Sequence, residues 1–434
     1  MDPIVVGILG IVLLLIFFMF GMPVGFSMAI AGFLGFAYLT TPEAALGLLA
    51  RDIFEQFTAY PLSVIPMFIL MGTFAFASGI SKRLYQTTYT WIGQFRGGVT
   101  MATVLACAGF AAICGSTAAS AATMGKIALP AMKKYRYDET LATGTVAASG
   151  TLGILIPPST ILILYGILIE ESIGKLFLAG ILPGLLLALA FIATVAVICL
   201  RNPAAGPPGV RTSWKEKMKA LSGLIETGIL FALAIGGLFL GWFSPTQAGS
   251  IGAGGALVIG LIRRELDWPS FVEAAKDAVK TSCMAIFVIT GAVVFGHFMA
   301  VSQITFALAD WVEGLPLPPM AIMGVIVFMY FIGGFFMDSM ALVVLTIPII
   351  FPVVSRLGFD PIWFGVIIVL VAEMGVITPP VGVNVFVIKG IAPEIPLETI
   401  FRGIIPFLAA LIIVTIVIII FPQIATFLPN LVSY

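Results

Sequence analysis

The sequence predicts an all-α polytopic membrane protein of two inverted repeats, each with five crossings, one re-entrant hairpin and one broken helix. Three observations predict it: an apolar excess, a pattern repeated at a fixed offset, and a lopsided distribution of basic residues. Apolar residues make up 60% of the 434 and charged residues 10%, against roughly 45–50% and about 25% in a soluble domain. The mean hydropathy is +1.16. So few charges cannot form a wet surface for a chain of this length, and the long apolar runs match the roughly 20 residues that span hydrocarbon as helix. No ten-residue alternation indicates a β-barrel. With 21 basic and 21 acidic residues the net charge is zero, which excludes bulk nucleic-acid binding.

The repeat is read from matched pairs. Gly153-Ile154-Leu155-Ile156-Pro157-Pro158 returns as Gly375-Val376-Ile377-Thr378-Pro379-Pro380, 222 positions later. The same offset pairs Pro23 with Pro245, Gly32 with Gly254, Ala119 with Ala341, Pro130 with Pro352 and Asp138 with Asp360. Residues 1–200 form the first repeat and 220–434 the second. The polar stretch 201–219, RNPAAGPPGVRTSWKEKMK, is the linker.

In the first repeat the spans fall at 4–20, 23–40, 61–80, 140–170 and 176–199, with an apolar stretch, 97–132, interrupted at Cys114-Gly115-Ser116-Thr117. Lys82, Arg83 and Arg96 precede that stretch and Lys133, Lys134 and Arg136 follow it, so it enters and leaves on one face as a hairpin. The second repeat places spans at 222–241, 245–262, 281–300, 361–390 and 396–421, with a hairpin at 319–354. The apolar N-terminus has neither a basic flank nor a small-residue cleavage site, and is read as a retained first helix. Five crossings is an odd number, so the repeats are inverted. Setting the basic linker in the cytoplasm puts both termini outside. All Lys and Arg then lie at the inner face except Arg51, Lys175 and Arg356 outside and Lys126 within the first hairpin.

The chemistry belongs at the breaks. Two consecutive prolines remove amide donors and clash with the preceding turn, and they push the residue before them out of the helical region. Unwound backbone at membrane depth must be buried in protein or line a wet cavity. Paired broken helices in inverted repeats are the arrangement of ion-coupled carriers. The carbonyls of Gly153, Ile156 and Pro158 are candidate Na⁺ ligands, because hard cations prefer oxygen. Gly115, Ser116 and Thr117 at the hairpin tip complete that shell. The second-repeat equivalents are Gly375, Thr378 and Pro380, with Asp338 and Ser339 at the tip. Half-helices beginning at Ser159 and Val381 aim their N-termini at an anion such as a carboxylate. Asn384, Ser159 and Thr160 supply specific hydrogen bonds to substrate, joined by the tip hydroxyls of Ser116, Thr117 and Ser339. Charges at membrane depth mark function by default, which singles out Asp338 and also Lys126 and Glu373. His297 is the sole histidine, so a histidine relay has little to work with, and no catalytic cluster is read: the protein is not expected to be an enzyme. Cys107, Cys114, Cys199 and Cys283 sit in apolar runs without a CxxC pair, so no disulfide framework is expected.

The runs GMPVGFSMAIAGFLGF, CGSTAASAATMGKIALPAMKKYRYD, GTLGILIPPS, FMDSMALVVLTIPIIFPVV and GVITPPVGVNVFVIKGIAP resemble the large membrane subunit of tripartite ATP-independent periplasmic (TRAP) transporters. The resemblance covers essentially the whole chain, with the motifs in order. It implies an elevator-type carrier of the ion transporter superfamily in a bacterial inner membrane. It implies Na⁺ coupling and import of a small organic acid, such as a C4-dicarboxylate, sialic acid or another sugar acid. It also implies a small four-helix membrane subunit and a periplasmic substrate-binding protein as partners. The rival reading is a self-sufficient Na⁺-coupled organic-anion carrier that needs no binding protein. The tips differ, Gly-Ser-Thr in one repeat and Met-Asp-Ser in the other, so the two ion sites are not expected to be equivalent.

Overall fold

The computed structural model describes residues 1–380 and 382–432, and every regular element among them is helical. Val381, the expected start of a half-helix, lies outside the described residues. Eight helices are long and apolar enough to cross a membrane among the described residues. They are Tyr60–Ala77, Glu139–Leu168, Ile173–Arg201, Trp214–Phe239, Pro245–Arg263, Trp268–Val301, Ser339–Arg356 and Leu397–Ile420. Shorter apolar helices are Pro3–Met19, Val24–Leu39, Gly98–Cys114, Pro319–Gly333 and Pro361–Val376. This is a multi-pass membrane protein.

The spans follow hydropathy closely, but amphipathic helices escape it. Pro42–Thr58 and Ile80–Ile92 are helices between and beyond the expected spans. The counterpart of Ile80–Ile92 is also a short helix, Ile304–Glu313, but the counterpart of Pro42–Thr58 behaves differently. Pro42–Thr58 ends before a 3₁₀ turn over Tyr60–Ser63, where Pro61 removes an amide donor. The matching position is Cys283, and there the chain runs unbroken through Trp268–Val301, 34 residues or about 51 Å of helix. That length exceeds the hydrocarbon core, so its charged first half extends beyond the span. The expected linker is also partly helical. Trp214–Ala220 starts at a capping box between Ser213 and Glu216 and continues toward Phe239.

Turns at Gly115-Ser116 and before Ser339 divide the two stretches expected as hairpins, although Ser339–Arg356 is by itself long enough to span. Both expected breaks interrupt their helices, and the caps obey the offset. Ser116 caps Thr117–Lys134 by accepting the Ala119 amide at 3.4 Å. Asp338 caps Ser339–Arg356 by accepting the Met340 and Ala341 amides at 2.9 and 3.2 Å. Asp138 and Asp360 cap the two broken helices in the same way. A capping oxygen satisfies amides that would otherwise lack a partner, so the short polar residues sit where each helix starts.

The first broken helix runs as Glu139–Ser149, Leu152–Leu155 and Thr160–Leu168, and the second as Pro361–Val376 and Val383–Ile391. Glu139–Leu168 and Pro361–Val376 are among the most enclosed parts of the molecule, whereas Val383–Ile391 is only partly buried. Every residue from Ile362 to Val376 is buried. Close helix crossing needs glycine: a Cβ on Gly144 would sit 2.2 Å from the backbone of Gly403, on the Leu397–Ile420 helix.

Candidate functional site

The two hairpin tips and the first helix break converge around one carboxylate. Glu373, on the second broken helix, is 2% exposed. Its Oε2 accepts the Thr117 hydroxyl at 2.9 Å, and its Oε1 accepts the Ser339 hydroxyl at 2.9 Å. Thr117 opens the second helix of hairpin one, and Ser339 opens the second helix of hairpin two. They are equivalent positions, 222 apart. The residue matching Glu373 in the first repeat is Thr151, whose hydroxyl returns to the Ala148 carbonyl. The bridge therefore has no twin. Glu373 was legible as a charge at membrane depth, but nothing in its sequence surroundings tied it to both tips.

A cavity of about 120 Å³ lies between these groups, with Ser116, Thr117, Thr160, Asp338, Ser339 and Glu373 among its walls. Its two charged side chains are carboxylates. Asp338 spends Oδ1 on its own helix cap, and among the described residues no hydrogen bond reaches its Oδ2. The role of Asp338 is thus double, as a cap and as a wall of the cavity.

The first break closes tightly on the tip of hairpin one. Thr160 donates its hydroxyl to the Gly115 carbonyl at 2.9 Å. Gly115 sits at φ +64°, a left-handed conformation that glycine adopts without steric cost. A Cβ there would lie 2.8 Å from the Pro158 carbonyl oxygen. A Cβ on Gly153 would lie 2.6 Å from both the Ser116 carbonyl and the Ser120 hydroxyl. The structure thus gathers Gly115, Ser116, Gly153 and Pro158 at one place. Ile156 is buried and packs against Gly184 of Ile173–Arg201.

Other expected site residues are placed differently. Ser159 is fully buried and caps Thr160–Leu168 through the Leu162 amide at 3.2 Å; it does not wall the cavity. Asn384 is buried too, and its amide donates to the Ala147 carbonyl at 2.9 Å, tying the two broken helices together, while its Oδ1 has no partner. Gly375 packs against Gly334 of hairpin two, where a Cβ would come within 2.3 Å. The Thr378 hydroxyl turns back to the Met374 carbonyl, and Pro380 is exposed. Gly375, Thr378 and Pro380 do not wall the cavity. The two breaks are therefore unlike: Pro157 and Pro158 are buried, whereas Pro379 and Pro380 are exposed. The physical reason is the partner each finds. The first break has the Gly115 tip and Ile173–Arg201 against it, while the second meets its hairpin one turn earlier, at Gly375.

His297 lies away from these walls, with Nδ1 2.8 Å from Asp52 Oδ2 on the Pro42–Thr58 helix. All four cysteines are free. Among the described residues no three His, Cys, Asp or Glu side chains cluster as they would for a transition metal.

The sequence matches the family model described as Tripartite ATP-independent periplasmic transporter, DctM component, over residues 11–424. It is 35% identical over 395 residues to a C4-dicarboxylate TRAP transporter large permease protein of Pseudomonas aeruginosa, covering 90% of this chain and 91% of that one. It is 32% identical over 413 residues to a sialic acid TRAP transporter large permease protein of Vibrio cholerae, covering 95% of each. An isethionate TRAP transporter permease protein of Oleidesulfovibrio alaskensis is 35% identical, over 93% of this chain and 64% of its own. Among solved structures, the Alcanivorax borkumensis YdaH transporter aligns with a TM-score of 0.64 over 87% of this chain and 88% of its own, at 17% identity, which is a likeness of fold. With membrane-spanning helices throughout and a family match over nearly its full length, the chain belongs to the large permease, or DctM, component of the tripartite ATP-independent periplasmic transporters.

Proposed function

We propose that this chain is the permease of a Na⁺-coupled importer of a small organic anion in a bacterial inner membrane. The observation that carries the reading is the Glu373 bridge between two equivalent hydroxyls, beside a cavity whose wall includes hydroxyl and carboxylate oxygens. The donor set fits an alkali cation: carboxylate, hydroxyl and carbonyl oxygens suit a hard cation, and among the described residues no nitrogen or sulfur cluster competes. Thr117, Ser339, Glu373 and Asp338, with the carbonyls gathered at Gly115 and Gly153, are the groups that would hold it. Bound cation supplies positive charge to a cavity whose own charges are negative. An anion then binds well only when the cation is present, and that dependence is the coupling. Hydroxyls at the cavity and the N-terminus of Thr160–Leu168 favour a carboxylate or sulfonate. The names of three relatives give dicarboxylate, sialic acid and isethionate, all acids, and a fourth gives ectoine, a zwitterion that also carries a carboxylate.

The repeats are read as inverted, with hairpin one opening to the cytoplasm, hairpin two to the periplasm, and both termini periplasmic. Movement of the hairpins and broken helices as one body against the remaining helices would expose the cavity to each side in turn. A small four-helix membrane subunit and a periplasmic binding protein complete the assembly, as the tripartite family implies. The test is uptake of candidate acids into proteoliposomes holding the complete complex, with Na⁺ or K⁺ outside at fixed pH. Accumulation with Na⁺ alone supports the reading. Equal uptake with both ions, driven by a proton gradient, overturns it. Undiminished uptake without the binding protein favours a self-sufficient carrier.

A further inference from the structure

The second helix of hairpin one, Thr117–Lys134, buries one face and leaves another bare. Ala119, Lys126, Pro130 and Lys133 are exposed, at spacings of seven, four and three that align them along one side of the helix. Ala118, a wall of the cavity, leads in steps of four through half-buried Ala122 to Lys126, so the edge of this bare face meets the cavity. The equivalent helix of hairpin two differs: no residue from Ser339 to Val354 is exposed. The position matching Lys126 there is Pro348.

Lys126 lies nine residues from Thr117, about 13 Å along the helix, and seven from Lys133, about 10 Å. Its neighbours in charge are committed. Lys133 pairs with Glu394 at 3.1 Å. Lys134 sits over the Tyr135 ring. Lys389 donates to the Pro393 and Ile395 carbonyls at 2.7 and 2.8 Å. Lys126 has no hydrogen bond or ion pair to any described residue. A charged side chain at this depth is stable against a water-filled cavity and costly against hydrocarbon. A wet path along this face, from the cavity to the hairpin-one end of the protein, would supply that water.

We propose that Lys126 lines this path and draws the carboxylate or sulfonate group of the substrate along it. The proposal rests on the organic-anion reading above. Such a group gains from a cation outside the cavity because the two acidic side chains there, Asp338 and Glu373, offer an anion no positive charge once the cation has left. A lone ammonium on a low-dielectric wall focuses the field that attracts it. Hairpin two has no equivalent, so the aid is confined to one mouth.

The experiment uses the complete complex in proteoliposomes, on a parent whose four native cysteines are replaced. Lys126→Cys is expected to reduce uptake roughly tenfold, within the range of charge steering. A thiosulfonate reagent carrying a permanent trimethylammonium should restore most of that loss. The sulfonate-bearing reagent should not, and Lys126→Arg should keep near-parental uptake. Full activity of Lys126→Cys, or equal effects of the two reagents, overturns the proposal. So does modification by a membrane-soluble maleimide with none by the charged reagents, which places the side chain in lipid. A parent that accumulates no organic anion overturns instead the reading of function, and the proposal with it.

Discussion

Thr117 and Ser339 donate their hydroxyls to opposite oxygens of one carboxylate, Glu373, each at 2.9 Å. The two residues are equivalent by the 222-residue offset, yet the carboxylate that joins them comes from the second repeat alone. A symmetric framework thus holds an asymmetric centre. Any movement that separates the hairpin tips must break one of these two hydrogen bonds, so the bridge links both hairpins to the state of the cavity.

The first expected outcome concerns that carboxylate. Glu373→Gln keeps the volume and removes the charge. A hydrogen bond to a charged group contributes about 1.5–3 kcal/mol, so the Na⁺ concentration for half-maximal uptake should rise at least tenfold. Titration of uptake against Na⁺ in proteoliposomes reads this, and an unchanged half-maximal concentration in a well-folded variant would refute the assignment.

The two hydroxyls should act through Glu373 and not independently. Thr117→Ala and Ser339→Ala each remove one donor, and residues in one network couple by about 0.5–3 kcal/mol. In a double-mutant cycle with Glu373→Gln, either alanine variant should cost clearly less on the Gln background than on the parent. Simple additivity would show that the hydroxyls serve the helix starts alone.

Gly115→Ala tests the tip backbone. The new methyl group meets the Pro158 carbonyl at 2.8 Å in a left-handed conformation, which by itself costs roughly 1–2 kcal/mol for a residue with a Cβ. The purified protein should melt several degrees lower and lose transport. Gly21→Ala, also at positive φ but with open space around it, is the matched control for backbone strain without the clash and should cost less.

Glu226 pins three helices. It takes Arg83 and Arg263 on its two oxygens, with both ion pairs at 2.6 Å, and Arg83 also reaches Glu265 at 2.7 Å. Breaking a buried pair costs about 3–5 kcal/mol; half-exposed Arg263 regains water and lowers that figure. Glu226→Ala should therefore lower the melting temperature in detergent while leaving Na⁺ dependence at the parental value. A variant with parental stability would show the cluster to be ornamental.

Topology is checked by cysteine labelling in whole cells, on a background without the native cysteines. Cysteine at Ser355, past hairpin two, should react with an impermeant maleimide from outside. Cysteine at Tyr135, past hairpin one, should react after permeabilisation alone. Labelling of both from one side would remove the inverted arrangement and the alternating access built on it.

Local signals in the sequence were enough to predict the helical membrane class, most apolar helices and both breaks. Hydropathy, the Pro-Pro pairs and the 222-residue offset are read within short windows, and lipid leaves few alternatives to a helix. The helix starts at Ser116, Asp338, Asp138 and Asp360 were readable for the same reason, since a cap acts within three residues. The amphipathic helices Pro42–Thr58 and Ile80–Ile92 were not, because a half-polar helix lacks the long apolar run that marks a span. The centre itself was decided by tertiary structure. Thr117 meets Glu373 across 256 positions, and no local pattern encodes such a pairing. The same holds for the unequal breaks. Matching Pro-Pro motifs become buried at Pro158 and exposed at Pro380 because burial depends on what packs against them, and only the folded chain brings the Gly115 tip to one and not its counterpart to the other.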